Sequence, residues 1–595
     1  MRGLIFSGFL LVAAATLAGC VNPGGPGPAA AGSSPAARAL HALFDEEWEH
    51  DLAESPIWAS SIGDRRYDAR WDDVSLEAQA RREAHDREVL GKVSRISRAE
   101  LSRSDALSYD VFRYKYETAV LGQPFRLYLF PLNQRGGIQT ADELADELPF
   151  ASVTSYAAWN ARLVAFPTYV DQTIALLTEG IRTRMVHPKI AMQRVVAQLD
   201  AQIVADPSKS PFYAPYKKVD AQVGAADRER LTREAKSLVM SSVVPAFVKL
   251  RAFFVGTYLP ACRETVGAWD LPDGAALYAF AARSHTTTQL TPDQIHAIGL
   301  REVSRIRSEM ESVKTRAGFA GPLKDFFTFL RTDPRFYFKD GSELLVAYRD
   351  LAKRVDPQLV KVFKKLPRTP YGISPIPDAV APDTTTAYYR EPSADGSRAG
   401  TFFVNLYKPE ARPRWEMTSL TLHESVPGHH LQIALAMEEE NIPRFRRHGD
   451  YSAFVEGWGL YAETLGEEMG LYEDPYAKFG QLTYEMWRAV RLVVDTGIHH
   501  LQWDRQRAID FFMENAAKPE LDVVNEVDRY IVWPGQALAY KIGELRIKEL
   551  RKKKTAELGA KFDLKTFHEA VLRSGPLPLD ILEREVMRGM TTEVK

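Results

Sequence analysis

The stretch TLHESVPGHH, from Thr421 to His430, begins like the metal-binding helix of a zinc protease and then departs from it. Zinc proteases of the His-Glu-x-x-His type place two histidines four residues apart, so that both reach one ion. Here Pro427 stands where the second histidine is expected, and the next two histidines are His429 and His430. The question is whether one of these two can share a metal ion with His423.

On a regular α-helix, neither later histidine would meet His423. With 3.6 residues per turn, His429 faces another side of the helix, and His430 lies about 10 Å further along the axis. Pro427 removes a backbone donor and clashes with the preceding turn, while Gly428 permits conformations that other residues avoid. The Pro-Gly pair therefore predicts a break that can bring a later histidine beside His423. A kinked helix with histidines at a polar surface is the alternative.

A second predicted helix, YSAFVEGWGLYAETLGEEMGL from Tyr451 to Leu471, carries acidic residues inside an apolar pattern. Glu456 and Glu463 lie on or near one face of it. Two histidines and one glutamate with an open fourth position form a recurring zinc site, so we expect Glu456 to be the third ligand. Gly457 and Gly459 each weaken a helix by about 1 kcal/mol relative to Ala, which favours close approach of another backbone or of a substrate there.

The composition excludes several classes of function. The chain has 595 residues, of which 45% are hydrophobic and 26% charged, as in an ordinary globular protein of one large or two to three moderate domains. Its 76 Lys and Arg residues nearly balance its 78 Asp and Glu residues, so no basic field favours nucleic acid as a partner. The chain also lacks a Gly-x-Ser-x-Gly elbow and a phosphate-binding loop, which disfavours a nucleophilic hydrolase and a nucleotide-binding protein.

The N-terminus predicts export and lipid anchoring. MRGLIFSGFLLVAAATLAGC combines a basic residue, an apolar run and small residues at its end, as a secretory signal does. Its last four residues are typical of a bacterial lipobox, so we expect residues 1–19 to be removed and Cys20 to carry lipid. A plain signal peptide with a chance cysteine is the alternative. We predict a lipid-anchored protein of the bacterial cell envelope, on the periplasmic face of a membrane or on the cell surface.

The rest of the chain divides into a linker and a helical body. The Pro-, Gly- and Ala-rich segment over residues 20–38 predicts a flexible tether, and residues 39–595 are assigned to one helical domain. Helical patterns dominate that domain, so the predicted fold class is mainly α. The exception is a loop-rich region with a β-prone island, TFFVNLY, at residues 401–407. This island could be a strand with a free edge that pairs with an extended peptide, or a strand inside a small structural sheet.

The segments LHESVPGHHLQ, FVEGWGLYAE, RLVVDTGIHH and RYIVWPGQALAYKIG occur in the order found in bacterial domain-of-unknown-function family 885. The chain resembles that family from about residue 40 to near its end. The resemblance implies a zinc-metallopeptidase-like protein with one Zn²⁺ per chain. It also implies two helical lobes around a central cleft lined by a small β-sheet, distantly similar to the carboxypeptidase Taq and oligopeptidase gluzincins. The family pattern His-Glu-x-x-Pro-Gly-His favours His429 over His430 as the ligand.

With His423, His429 and Glu456 as the predicted zinc ligands, Glu424 is the expected general base. It adjoins the first ligand, so it can lie near a metal-activated water without binding the ion. The tetrahedral intermediate of amide hydrolysis needs a further hydrogen-bond donor for its oxyanion. Tyr540 and Tyr530 are the candidates, and simple packing is the alternative for each.

Further residues are predicted to bind substrate or to support the ligands. Arg491 is a candidate for a substrate carboxylate, and Asn405, in the β-prone island, for a substrate backbone. Asp495, His499 and Glu463 are candidates for supporting hydrogen bonds behind the metal ligands. Asp495 and His499 are four residues apart on a predicted helix, so an ordinary intrahelical pair is the alternative for these two.

These residues together predict a membrane-anchored zinc peptidase that hydrolyses small peptides through a metal-activated water. A zinc hydrolase of a non-peptide amide or ester would use the same ligands. A non-catalytic binding lipoprotein, with structural histidines, is the third possibility. The expected partners are a small peptide substrate and the membrane, with no nucleic acid, and the sequence leaves the oligomeric state open.

Overall fold

The computed structural model describes residues 34–378, 381, 385–393, 396 and 398–590. These residues form a mainly α-helical protein with one small β-sheet, which confirms the predicted fold class. The predicted signal peptide, residues 1–19, and the predicted lipidation site, Cys20, lie outside the described residues. The division of the helices into two lobes around a cleft stays a prediction.

The first helix starts earlier than the sequence indicates. Ser34 accepts a hydrogen bond on its side chain from the backbone N–H of Ala37, and Pro35 occupies the first turn, where its missing N–H costs nothing. The last four residues of the predicted tether, residues 35–38, are therefore helical. The helices that precede the sheet are α1 (Pro35–Glu54), α2 (Pro56–Ser61), α3 (Leu76–Ser94), α4 (Arg103–Gly122), α5 (Val153–Thr183), α6 (Lys189–Ala201), α7 (Ala225–Leu238), α8 (Val244–Phe253), α9 (Leu259–Ala261), α10 (Gly274–Thr286), α11 (Pro292–Arg316), α12 (Leu323–Thr332), α13 (Gly341–Val355) and α14 (Leu359–Val362).

The helices that follow the sheet carry most of the predicted site. The helix from Pro475 to His499, α20, is buried along most of its length. Its buried residues include Arg488, Arg491 and Asp495, so these polar side chains need partners inside the protein. These helices are α15 (Met417–Glu424), α16 (His429–Met437), α17 (Arg444–Arg447), α18 (Ser452–Thr464), α19 (Gly466–Met469), α20 (Pro475–His499), α21 (Arg505–Asn515), α22 (Glu520–Val532), α23 (Ala539–Leu558), α24 (Leu564–Leu572) and α25 (Leu579–Gly589).

Two large apolar clusters form the core. One gathers around α5, α8 and α20, and the other joins α13, α15 and α18 to the sheet. The stretch Ala225–Ala261, which contains α7 to α9, is long and apolar enough to cross a membrane by length and composition alone. Its Phe247, Leu250 and Phe254 are fully buried in the first cluster, which accounts for much of its apolar character.

The sheet has three strands, β1 (Tyr371–Pro375), β2 (Ala387–Arg390) and β3 (Gly400–Val404), in the order β1-β3-β2. The central strand β3 pairs in parallel with β1 and antiparallel with β2. The TFFVNLY island supplies this central strand, so it has no free edge. The outer strand β2 pairs on one side only among the described residues.

Glycine lets α18 and α23 touch backbone to backbone. A Cβ added to Gly457 on α18 would lie 2.5 Å from the Cα of Gly543 on α23, and one added to Gly543 would lie 1.8 Å from the carbonyl oxygen of Ala453. The sequence predicts such an approach at Gly457, and the structure confirms it. The contact fixes the position of Glu456, the neighbour of Gly457, against the start of α23.

We predict that Gly457→Ala lowers the free energy of unfolding by about 1–3 kcal/mol, because the two helices must separate to admit a methyl group. Thermal and urea unfolding monitored by circular dichroism would measure the change. Gly91→Ala is the matched control, since a Cβ on this α3 residue meets no atom within 4 Å. Gly91→Ala should leave the free energy of unfolding unchanged or raise it slightly. Equal unfolding midpoints for the two variants would contradict the prediction.

Candidate metal centre

The helix that contains the His-Glu pair is broken where the Pro-Gly pair predicts it. Helix α15 ends at Glu424 and α16 begins at His429. A Cβ on Gly428 would lie 1.9 Å from the carbonyl oxygen of His423, so only glycine fits this turn. The indole N–H of Trp458, on α18, donates a hydrogen bond of 2.8 Å to the carbonyl oxygen of Pro427 and holds the turn against the neighbouring helix.

The break brings three predicted ligands together. One carboxylate oxygen, Glu456 Oε2, lies 3.5 Å from His423 Nε2 and 3.6 Å from His429 Nε2. One donor atom from each of the three residues lies within 4.8 Å of the others. A zinc ion with bonds of about 2.0–2.1 Å and tetrahedral angles spaces its ligand atoms by about 3.4 Å. The donor set and its spacing therefore fit such an ion.

His430 points away from this cluster. Its Nδ1 lies 2.9 Å from the hydroxyl of Tyr389, and its Nε2 lies 3.0 Å from the carbonyl oxygen of Thr369. Both ring nitrogens are thus used in hydrogen bonds to the sheet region. The geometry agrees with the choice of His429 over His430 that the family pattern favours.

The cluster contains buried polar atoms without a protein partner. Glu456 Oε2 and His429 Nδ1 are buried and accept or donate no hydrogen bond within the described part of the chain. Buried polar groups are rarely left unpaired, because desolvation without a partner costs free energy. A cation held between Nε2 of the two histidines and the Glu456 carboxylate would satisfy that oxygen.

Protonation in this cluster is set by burial and by the acidic neighbours. Burial lowers the pKa of His429 to about 4, which keeps its imidazole neutral, the form that binds metals. Burial also acts to lower the pKa of His423, but the neighbouring carboxylates of Glu456 and Glu463 outweigh it and raise that pKa to about 9. A metal must therefore displace a proton from His423, so metal affinity is expected to increase with pH.

Glu463 supports His423 from behind, as the sequence predicts. Its Oε1 lies 2.8 Å from His423 Nδ1, and its side chain is fully buried. The carboxylate fixes one proton on Nδ1, so Nε2, which faces Glu456, is the nitrogen that can release its proton to a metal. Gly459, one turn before Glu463, makes room for the ring, since a Cβ there would lie 2.8 Å from His423 Cε1. The close neighbour at Gly459 is thus the ligand side chain, not a backbone or a substrate.

A cavity of about 380 Å³ opens beside the cluster. Glu424 lies in its wall next to His423, and burial raises the pKa of the Glu424 carboxyl to about 7. A carboxyl group with a pKa near neutrality can both accept and return a proton at physiological pH. The outer strand β2 also lines the cavity, so the small sheet does border the candidate site. The lining includes Arg135, Tyr388, Tyr389, Arg488, Arg491, Glu526, Arg529, Trp533, Gln536 and Tyr540.

The two candidate tyrosines have different positions. Tyr540, near the start of α23, lines the cavity and is only partly buried. Tyr530 is 1% exposed, and its hydroxyl donates a hydrogen bond of 2.7 Å to Glu526 and accepts one of 3.0 Å from Arg491 Nε. The prediction of Tyr530 as an oxyanion donor is therefore wrong. Its hydroxyl positions the arginine and glutamate that line the cavity.

Asn405 is not a substrate-binding residue. It is 1% exposed, and its side-chain amide donates hydrogen bonds to the carbonyl oxygens of Ala381 and Thr385 at 2.7 and 3.1 Å. Its side-chain oxygen accepts a hydrogen bond from the backbone N–H of Tyr407. Asn405 therefore holds the loop that leads into β2, because a buried amide must use its donors and acceptor locally.

The structure places the hydrogen bonds of Asp495 and His499 away from the predicted metal ligands. Asp495 Oδ1 accepts hydrogen bonds from the Tyr278 hydroxyl at 2.6 Å and the Gly535 N–H at 3.1 Å. His499 Nδ1 accepts a hydrogen bond of 2.9 Å from the backbone N–H of Ala268. Its other ring nitrogen, Nε2, lies 2.9 Å from the carbonyl oxygen of Tyr530. Among the described residues, neither side chain bonds to His423, His429 or Glu456, and the two do not pair with each other. Both fix the backbone from Tyr530 to Gly535, which precedes Tyr540.

Sequence reasoning missed several residues of the cavity. Arg529 and Gln536 lie in the quoted segment RYIVWPGQALAYKIG, where attention to polar residues beside the tyrosines would have found them. Arg135 and Tyr389 stand in segments without a recognisable motif, so only folding shows that they share the cavity.

Solved structures similar to this chain share its whole architecture. A “putative lipoprotein” from Colwellia psychrerythraea superimposes with a TM-score of 0.89 and 28% sequence identity, over 93% of this chain and 99% of its own. A “putative lipoprotein of unknown function” from Shewanella oneidensis matches with a TM-score of 0.70 and 16% identity, over 93% of this chain and 100% of its own, which shows a common fold. These descriptions agree with the predicted lipid anchor.

Sequence comparison places the chain in a family. None of the curated proteins compared with it matches its sequence. The family model described as “Bacterial protein of unknown function (DUF885)” matches residues 56–586, which is most of the chain and includes every residue of the candidate centre. The chain therefore belongs to this bacterial family, DUF885.

Proposed function

We propose that this protein is a lipid-anchored zinc peptidase of the bacterial cell envelope that hydrolyses peptide bonds in small peptides. The observation that carries the proposal is the cluster of His423, His429 and Glu456 at the wall of a cavity, with the Glu424 carboxyl beside it. Two histidines and a glutamate with an open coordination position make up a common catalytic zinc site.

A general base is available on the chain itself. When bound, a zinc ion supplies a water of lowered pKa and polarises the carbonyl that is attacked. Glu424 accepts the proton of the attacking water and later transfers it to the amine that leaves, so the carboxylate is regenerated in each turnover. Burial of Glu424 supports this role, because it holds the carboxyl pKa near the working pH.

Other cavity residues bind and orient the substrate. The hydroxyl of Tyr540 is the donor we assign to the oxyanion, since this side chain lines the cavity near Glu456. The outer strand β2 offers backbone groups to an extended peptide along the same wall. Arg491 supplies a buried positive charge to one end of the cavity. The site thus contains a base, an oxyanion donor and a surface for peptide backbone.

We predict about one zinc per chain in wild-type protein, measured by mass spectrometry on the soluble body. His429→Ala and Glu456→Ala should lose the metal, because each removes one of three ligands. The matched control is His430→Gln, whose position is adjacent to a ligand but faces Tyr389 and Thr369. Absence of zinc from wild-type protein after supplementation would leave the histidines structural and favour a binding lipoprotein.

We predict that Glu424→Gln retains zinc and lowers kcat by about 10²–10⁴-fold, because the amide cannot accept a proton. Hydrolysis of a mixture of short peptides, followed by mass spectrometry, provides the measurement. Glu439→Gln, on the surface beside Lys365, is the control for the loss of one carboxylate. Full activity of Glu424→Gln with bound zinc would refute the assignment of the base.

We predict that Tyr540→Phe lowers kcat by about 10²–10³-fold, as expected for loss of one oxyanion donor. Tyr530→Phe should lower kcat less, because its hydroxyl bonds to Glu526 and Arg491 and not to the substrate. Steady-state kinetics on both variants with one peptide substrate would compare them directly. Equal kcat values for the two variants would remove Tyr540 from the mechanism.

A further inference from the structure

The cavity beside the metal cluster has an excess of positive charge. Four arginines line it, at positions 135, 488, 491 and 529. Arg491 and Arg529 share a single carboxylate, Glu526, at 2.9 and 3.1 Å from Glu526 Oε2. Because one carboxylate neutralises only one guanidinium, this group alone keeps a net positive charge.

Arg491 has a donor that no residue of the described chain uses. The side chain is 4% exposed, with Nε bonded to the Tyr530 hydroxyl and Nη2 to Glu526. Its Nη1 is buried and has no hydrogen-bond partner. A buried guanidinium N–H without an acceptor is costly, and an incoming carboxylate would satisfy it.

Arg135 brings a second available guanidinium from a distant part of the chain. It stands in a turn whose backbone is fixed by a hydrogen bond of 2.8 Å from its own N–H to the Asn133 side chain. The residue is exposed towards the cavity, and no ion pair or side-chain hydrogen bond joins it to the rest of the described chain.

The opposite side of the metal cluster has the opposite charge. A second cavity of about 430 Å³ shares His429, Glu456 and Gln536 with the first, so the two meet at the cluster. Two further carboxylates line this second cavity, Glu391 and Asp450, against one arginine. Both carboxylates belong to residues that are exposed in this cavity.

We infer that the two cavities bind the two free ends of one short peptide. The terminal carboxylate lies against Arg135 and Arg491, and the terminal ammonium group lies towards Glu391 and Asp450. The scissile bond then lies at the metal cluster between them, and chains with a blocked carboxyl end are excluded. This inference rests on the proposed peptidase function, to which it adds the substrate class and the direction of binding.

The test measures binding, so it does not depend on turnover. Isothermal titration calorimetry would compare Leu-Gly-Gly, its C-terminal amide and its N-acetyl form on zinc-loaded and metal-free Glu424→Gln protein. The free peptide should bind about tenfold or more tightly than the amide, because the amide loses charge-assisted hydrogen bonds to arginine. Acetylation should weaken binding too, and Glu391→Gln together with Asp450→Asn should remove that difference.

Arginine variants identify the residues responsible. Arg135→Gln and Arg491→Lys, each added to Glu424→Gln, should reduce the preference for the free acid to about threefold or less. The Arg135 side chain has no hydrogen-bond or ion-pair partner among the described residues, so its variant should fold even if the buried Arg491 variant does not. Arg230→Gln, on α7, is the control for loss of charge, since the ion pairs of Arg230 within the described part of the chain are with Asp227 and Glu234 of its own helix.

The outcomes separate this inference from the proposed function. Equal affinity for the acid and the amide, a preference that survives in both arginine variants, or no binding of any form would overturn the inference. An unchanged affinity after acetylation would overturn the position of the amino end. If wild-type protein binds zinc and cleaves the free acid and the amide at equal rates, that result would support the proposed peptidase function and overturn this inference. Selective binding without any hydrolysis would keep the inferred recognition of both ends and reject the peptidase.

Discussion

The interruption of one helix at Pro427 and Gly428 is the constraint on which the rest of the site depends. On a continuous helix, the imidazoles of His423 and His429 would face different directions, and no single ion could reach both. The turn lets α16 start again with its first residue beside the last turn of α15. The indole of Trp458 holds this turn from α18, the same helix that brings Glu456 to the two histidines. Ligand geometry and helix packing are therefore fixed by one set of contacts.

Helix α18 places charges inside the protein, and its neighbours make that possible. Glu456 and Glu463 lie seven residues apart on one face, so the first meets the Nε2 side of His423 and the second meets its Nδ1 side. Glu463 bonds to His423 Nδ1, whereas Glu456 Oε2 has no hydrogen-bond partner within the described part of the chain, and a cation between the two histidines would supply one. The glycines on this helix make room for its neighbours. Gly457 lets the backbone of α23 approach, and Gly459 leaves space for the imidazole ring of His423.

Residues further from the predicted ligands also use their polar groups inside the protein. Asp495, His499 and Tyr530 do not touch the cluster, yet they fix the backbone and the arginine that border the cavity. The opposite charges of the two cavities arise from residues of widely separated segments, which meet only because α20, α22 and the sheet surround the same space. The two similar solved structures, from Colwellia and Shewanella, have this fold at 28% and 16% sequence identity.

The sequence by itself determined the features that depend on neighbouring residues. Helical periodicity determined the mainly α class, the Pro-Gly pair determined the break after His423, and the spacing on α18 selected Glu456 and Glu463. The tertiary structure alone decided which side chains face the cavity. From the sequence, Asn405 and Tyr530 are candidates for contact with a substrate. Tertiary packing buries both side chains, and their polar groups form hydrogen bonds inside the protein. No motif near Arg135 indicates that it lines the cavity. Its place there results from contacts between segments hundreds of positions apart, and such contacts leave no periodic pattern in the sequence.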